Sequence, residues 1–277
     1  MERFDHAAPR PLAPREAQDG STLSRLVQVM QRLLGPGGCP WDREQSYATL
    51  KQYVLEEACE VLDAIDSGDR AHLREELGDL LLQVVFQAEL AREEGSFAID
   101  DVVEGIVAKL VRRHPHVFGD GEVGSAAEVR ATWDALKAKE KTDRRLLDGV
   151  PRNLPALLRA TKIGNKVKKV GFDWESPEGS RAKVTEELAE LDQAHAEGDR
   201  DAMEAELGDV LFALVNYARH LNLDPEKALQ RTSDKFTRRF SHVENRVREN
   251  HGGFEPKQPL AVLDGYWEEA KQQERAS

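Results

Sequence analysis

The chain has 277 residues, with 51 Asp and Glu against 39 Lys and Arg and a net charge of −12. That balance argues against nonspecific binding to a DNA or RNA polymer, which draws on clustered Lys and Arg, but it leaves room for a small anion carried with a divalent cation. Cys39 and Cys59 are too few for a disulfide framework or a four-cysteine zinc site, and no apolar stretch reaches the roughly 20 residues of a membrane span, so a reducing cytoplasm is the expected compartment.

Residues 1–20 are rich in Pro, Ala and charge, lack a signal-peptide core and are expected to be disordered. Beyond them aliphatic residues recur at helical spacing and strand-type alternation is scarce, so the class is all-α. Ser21 or Thr22 is placed to cap a helix ending at Leu34, where Gly35-Pro36-Gly37-Gly38 stops it. No Gly-Lys-Ser/Thr follows those glycines, so they form a turn and not a P-loop. Helices are predicted over 47–67, 70–94, 99–113 and 126–141. Asp143 to Pro155, with two prolines and a Gly, reads as a linker between helical domains at 21–142 and 156–277. The second domain is predicted to hold helices over 155–168, 178–197, 200–221, 225–250 and 259–275, with Asp199 and Asp224 at N-cap positions and Pro225 in a first helical position.

The two halves share an acidic pattern 130 positions apart. Glu56-Glu57-Ala58-Cys59-Glu60 precedes Glu75-Glu76-Leu77-Gly78-Asp79, and Glu186-Glu187-Leu188-Ala189-Glu190 precedes Ala205-Glu206-Leu207-Gly208-Asp209. In each copy 19 residues separate the second Glu from the Glu that begins E-L-G-D. At about 100° per residue, Glu187 and Glu190 share one helix face, as do Glu206 and Asp209. Two such helices packed antiparallel gather four carboxylates. Like charges so gathered repel unless cations join them, and hard oxygen ligands select Mg²⁺ or, as a substitute, Mn²⁺. An isolated acidic run would be a solvated face; here both copies continue from the Asp into an apolar run, which puts the acids at the edge of a buried helix.

Repetition extends to Lys109-Leu110-Val111-Arg112-Arg113 and Lys235-Phe236-Thr237-Arg238-Arg239, and to Trp133 and Trp267. A basic helix beside metal-loaded carboxylates suits a nucleoside triphosphate, with Lys and Arg taking phosphate oxygens. A metal lowers the pKa of a bound water, which can then attack phosphorus in line, and Glu186, adjacent to the ligands, is placed to take the proton; its alternative role is an ordinary surface acid.

With these residues in view, the chain resembles the MazG family of nucleoside triphosphate pyrophosphohydrolases in its two-domain form, from about Leu23 to Lys271. Gly38-Cys39-Pro40-Trp41-Asp42-Arg43-Glu44-Gln45-Ser46, Val170-Gly171-Phe172-Asp173-Trp174 and Asn216-Tyr217-Ala218-Arg219-His220-Leu221 carry the likeness beside the acid patterns. The resemblance implies a homodimer that hydrolyses NTP or dNTP at the α-phosphorus to monophosphate and pyrophosphate with Mg²⁺, in nucleotide-pool control or housecleaning. It implies metal ligands Glu187, Glu190, Glu206 and Asp209, substrate contacts Lys183, Lys235, Arg238, Arg239 and Trp267, and a second, less active site at Glu57, Glu60, Glu76 and Asp79. Glu186, Glu187 and Glu190 are the catalytic candidates.

The copies differ in two positions that bear on turnover. Lys183 lies one turn before Glu187 where the first copy has Tyr53, and Asn216, placed to hydrogen-bond a base or sugar, lies two turns after Asp209 where the first copy has Phe86. A noncatalytic metal- or nucleotide-binding helical dimer is the rival reading, and it fits the first half better than the second.

Overall fold

A computed structural model describes residues 20, 22–119, 124–129, 132–133 and 145–276. These are helical and turn residues, with no strand among them. The predicted disorder over 1–19, most of the predicted 126–141 helix and the start of the predicted linker lie outside the described residues. The chain divides into two compact units, Met1–Glu140 and Lys141–Ser277.

The first unit contains α1 (Leu23–Leu34), α2 (Pro40–Arg43), α3 (Tyr47–Ser67), α4 (Arg70–Glu93), α5 (Ile99–Arg113) and α6 (Pro115–Phe118). Sequence periodicity did not anticipate the one-turn helices α2 and α6, each opened by a proline at its first position. Thr22 stands at the N-cap of α1 but makes no side-chain cap bond, a correction to its expected role. The core is Met30, Leu34, Leu50, Val85 and Phe86, through which α1 and α3 pack on α4.

The second unit contains α7 (Ala156–Lys168), α8 (Pro177–Glu197), α9 (Arg200–His220), α10 (Pro225–His251) and α11 (Leu260–Ala276). Helices α8 and α9 form one packed pair, α10 and α11 another, and α7 rests on α9 and α10. Val243 and Val247 are fully buried in the second pair.

The hairpins α3–α4 and α8–α9 are built alike. Gly68 and Gly198 end the first helix of each at φ 74° and 72°, a left-handed conformation that glycine adopts without strain. The next residue, Asp69 or Asp199, caps the second helix: the former accepts from the Ala71 and His72 N–H at 2.8 and 3.2 Å, the latter from Asp201 and Ala202 at 3.1 Å each. A Gly-Asp turn of two residues restricts the register of the paired helices, so acids of both helices meet in each unit.

Candidate metal and nucleotide site

In the second unit α8 presents Glu187 and Glu190 to Glu206 of α9, and one carboxylate oxygen from each lies within 4.8 Å of the other two. In the first unit Glu57, Glu76 and Asp79 lie within the same distance of one another, the first two matching Glu187 and Glu206 and the third matching Asp209 in place of Glu190. Both donor sets consist of carboxylate oxygen alone, which fits Mg²⁺ or Mn²⁺. The fourth acid of each pattern stands differently. Glu60 is hydrogen-bonded to Glu76, whereas Asp209 is exposed one turn along α9 from Glu206 and outside the closest group.

The charges around the clusters differ. Burial first, then the charges of Asp79, Glu60, Glu76 and Glu56, pushes Glu57 above the ordinary Glu range. Burial and Glu60 likewise raise Glu76, against the opposing pull of His72, whose Nε2 lies 2.9 Å from Glu76 Oε1. In the second cluster the cation is Lys183. Its Nζ donates to Glu187 Oε1 at 2.6 Å and to Glu186 Oε1 at 2.9 Å, so Glu187 is held below the ordinary range and the lysine is raised. Glu190, hydrogen-bonded to Glu187 and partly desolvated, is pushed up.

Other expected site residues lie apart from these acids. Arg238 and Arg239 of α10 both pair with Glu274 of α11, at 3.1 and 2.7 Å, and the Arg239 guanidinium lies 5.7 Å from the Trp267 ring centre. Trp267 packs on Phe236 with ring centres 4.9 Å apart. Lys235 is half-buried on α10. Among the described residues no hydrogen bond or ion pair joins Lys235, Arg238 or Arg239 to the carboxylates of α8 and α9. The α10–α11 pair thus forms a basic and aromatic group of its own.

Asn216 also departs from expectation. It is buried, its Oδ1 accepts from Arg219 Nη2 at 3.4 Å, and it faces α7, where a Cβ on Gly164 would come within 2.9 Å of that same oxygen. Asp173 binds Arg219 through both oxygens and accepts from His220 Nε2 at 3.0 Å, with all three side chains nearly buried. The Arg219 hydrogen bonds hold Asp173 far below the usual carboxylate range. This clasp ties the segment before α8 to the end of α9, and sequence reasoning missed it. The available signal was a charge reversal, since Asp173 and Arg219 stand 130 positions after Arg43 and Glu89.

A family model described as "MazG nucleotide pyrophosphohydrolase domain" matches residues 45–118 and again 175–244, segments that contain both acid clusters. The chain is 46% identical over 258 residues to the "Nucleoside triphosphate pyrophosphohydrolase" of Escherichia coli K12, covering 91% of this chain and 98% of that one. The chain belongs to the MazG family of nucleotide pyrophosphohydrolases. A second MazG relative, the "Nucleoside triphosphate pyrophosphohydrolase/pyrophosphatase MazG" of Thermotoga maritima, is 43% identical over 254 residues, with 91% and 96% of the two chains covered. Among solved structures, a "mazG-related protein from Thermotoga maritima" aligns to 41% of this chain and 97% of its own at 29% identity, with a TM-score of 0.37. The MazG match falls twice on the acid hairpins, and its second copy reaches through Lys235, Arg238 and Arg239 but stops short of Trp267.

Proposed function

We propose that the protein hydrolyses nucleoside triphosphates, NTP or dNTP, to the monophosphate and pyrophosphate, with Mg²⁺ held by Glu187, Glu190, Glu206 and Asp209. The observation that carries this reading is the meeting of Glu187, Glu190 and Glu206 within 4.8 Å, inside the second family match and with Lys183 alongside. When bound, Mg²⁺ would supply Lewis acidity toward phosphate oxygen and lower the pKa of water. Glu186, exposed beside the cluster, takes the proton of the attacking water. Lys183 and the α10 cations Lys235, Arg238 and Arg239 bind phosphate oxygens, the arginines in exchange for Glu274, so that charge leaving with pyrophosphate is stabilised. Trp267 offers its ring face to the base. Attack falls on the α-phosphorus.

The test is incubation with each NTP and dNTP and Mg²⁺, with an EDTA control and ion-exchange separation. Monophosphate with pyrophosphate is expected; diphosphate with phosphate would move the attack to another phosphorus.

A homodimer belongs to the same proposal. Leu207, Leu211 and Leu214 form an i, i+4, i+7 stripe on α9 that is 44–49% exposed, and Leu77, Leu81 and Val84 repeat it on α4. A second copy would cover such stripes. Light scattering on the eluting protein should give twice the chain mass. No helix among the described residues is long and apolar enough to cross a membrane, and the proposed setting is the cytoplasm, in nucleotide-pool control. The first unit suits the noncatalytic reading better, since Tyr53 replaces Lys183.

A further inference from the structure

We propose that Lys183 is a built-in counter-cation of the second acid cluster, which a divalent cation displaces readily only when nucleotide phosphate is present to receive the ammonium. The inference rests on the reading of Glu187, Glu190 and Glu206 as metal ligands, and it assigns an order of events at that site.

The geometry begins with Glu187. Its side chain is 8% exposed, and a carboxylate at that depth needs a cationic partner. Lys183 supplies one from a single helical turn away, with Nζ 2.6 Å from Oε1 and 2.9 Å from Glu186. An ammonium at hydrogen-bond distance from a ligand oxygen and a divalent cation on the same oxygen repel each other, so the two compete. The lysine is able to leave. Its side chain is 34% exposed on a flexible four-carbon stem, and an ammonium is a compact point charge that a phosphate oxygen accepts as well as a carboxylate does.

The first cluster provides the contrast within the same chain. Tyr53 stands where Lys183 does, so among the described residues no lysine is paired with Glu57, and the nearest basic side chain to that cluster is the His72 imidazole, on the other helix of the hairpin. Metal and nucleotide binding are therefore coupled at the second cluster and uncoupled at the first. By linkage the coupling is reciprocal: nucleotide tightens metal binding there by the factor by which metal tightens nucleotide binding.

Mn²⁺ titration of the full chain, with free Mn²⁺ read by EPR, tests this without any turnover. Glu57→Gln with Glu76→Gln removes the first cluster as a competing site, and the same titration on the chain with that cluster intact guards against damage from those changes. Lysine, Lys183→Met and Lys183→Arg are compared with and without a nonhydrolysable α,β-imido nucleoside triphosphate. If Lys183 occupies the cluster nine-tenths of the time, the methionine variant binds Mn²⁺ about tenfold more tightly in the absence of nucleotide. It also loses most of the tightening that the analogue produces, while the arginine variant stays with the parent. Equal or weaker Mn²⁺ binding by Lys183→Met overturns the counter-cation role and leaves the metal site standing. Absence of Mn²⁺ binding in all three proteins, with and without the analogue, overturns the ligand reading as well.

Discussion

The two acid hairpins share a backbone plan and differ in what surrounds it. Helices α3 and α8 start and stop 130 residues apart, at Tyr47–Ser67 and Pro177–Glu197, and the Gly-Asp turn after each is the same. Yet Leu34, Leu50 and Phe86, which fill the core of the first unit, correspond in position to Gly164, Ser180 and Asn216 in the second. Where the first unit packs apolar volume, the second threads Arg219 and Asn216 against a bare helix face and ties Arg219 to Asp173. The comparison teaches that the register of the carboxylates depends on the hairpin turn and its caps, which leaves the far end of the same helices free to diverge.

The largest difference is expected in turnover. Glu187→Ala should lower kcat/KM by about a thousandfold or more, the scale of losing a group that acts in the transition state, while Glu57→Ala should stay within about threefold. Equal losses in steady-state assays would remove the distinction between the units.

Next comes the clasp. Asp173→Ala strands Arg219 and His220 in a nearly buried setting and should cost about 3 kcal/mol, whereas Arg43→Ala, at the corresponding exposed position, should change stability by less than about 0.5 kcal/mol. Urea unfolding measures both. Because Asp173 titrates below its unfolded value, its contribution is full above about pH 4 and declines as the pH falls further, so the gap between the variant and the parent should narrow in acid.

A smaller effect is expected at Gly164. A Cβ there would lie 2.9 Å from both Arg219 Nε and Asn216 Oδ1, so Gly164→Ala should cost about 1–3 kcal/mol despite the better helix propensity of alanine. A stabilised Gly164→Ala protein would show that the clasp yields without strain.

The smallest effect has the opposite sign. Glu57 is raised above its unfolded value, so its ionisation disfavours the fold increasingly as the pH rises through and above the ordinary Glu range. In EDTA at pH 7, Glu57→Gln should raise the Tm by about 1–3 °C, with no gain near pH 3.5, where both forms are neutral. Calorimetry at the two pH values checks this, and a rise at both would assign the gain to something other than charge.

Much of the fold was legible because its signals are local. Asp199 and Asp224 cap where expected, Pro225 opens α10, and Gly35 closes α1, each through a bond or a conformation set within a few residues. The meeting of acids from paired helices was legible for the same reason, but which acids close up was not, since Asp79 joins the first group and Asp209 stays outside the second. Nor was the clasp. Asp173 and Arg219 are 46 residues apart and meet across the fold, where α7, a third helix, presents Gly164 to Arg219 and Asn216. Likewise, Lys183 lies within i, i+4 reach of Glu187, so either a phosphate or that carboxylate could have claimed it; the folded chain pairs it with the acids.

The sequence by itself determined the all-α class, the duplication and the family, because periodicity, caps and a two-residue turn act over short range. Only the tertiary structure decided that Asn216 is buried against α7, that Arg238 and Arg239 pair with Glu274, and which three acids of each pattern close up. Those outcomes depend on which charged groups lose their water as separate helices close on one another, and desolvation is a property of the packed molecule.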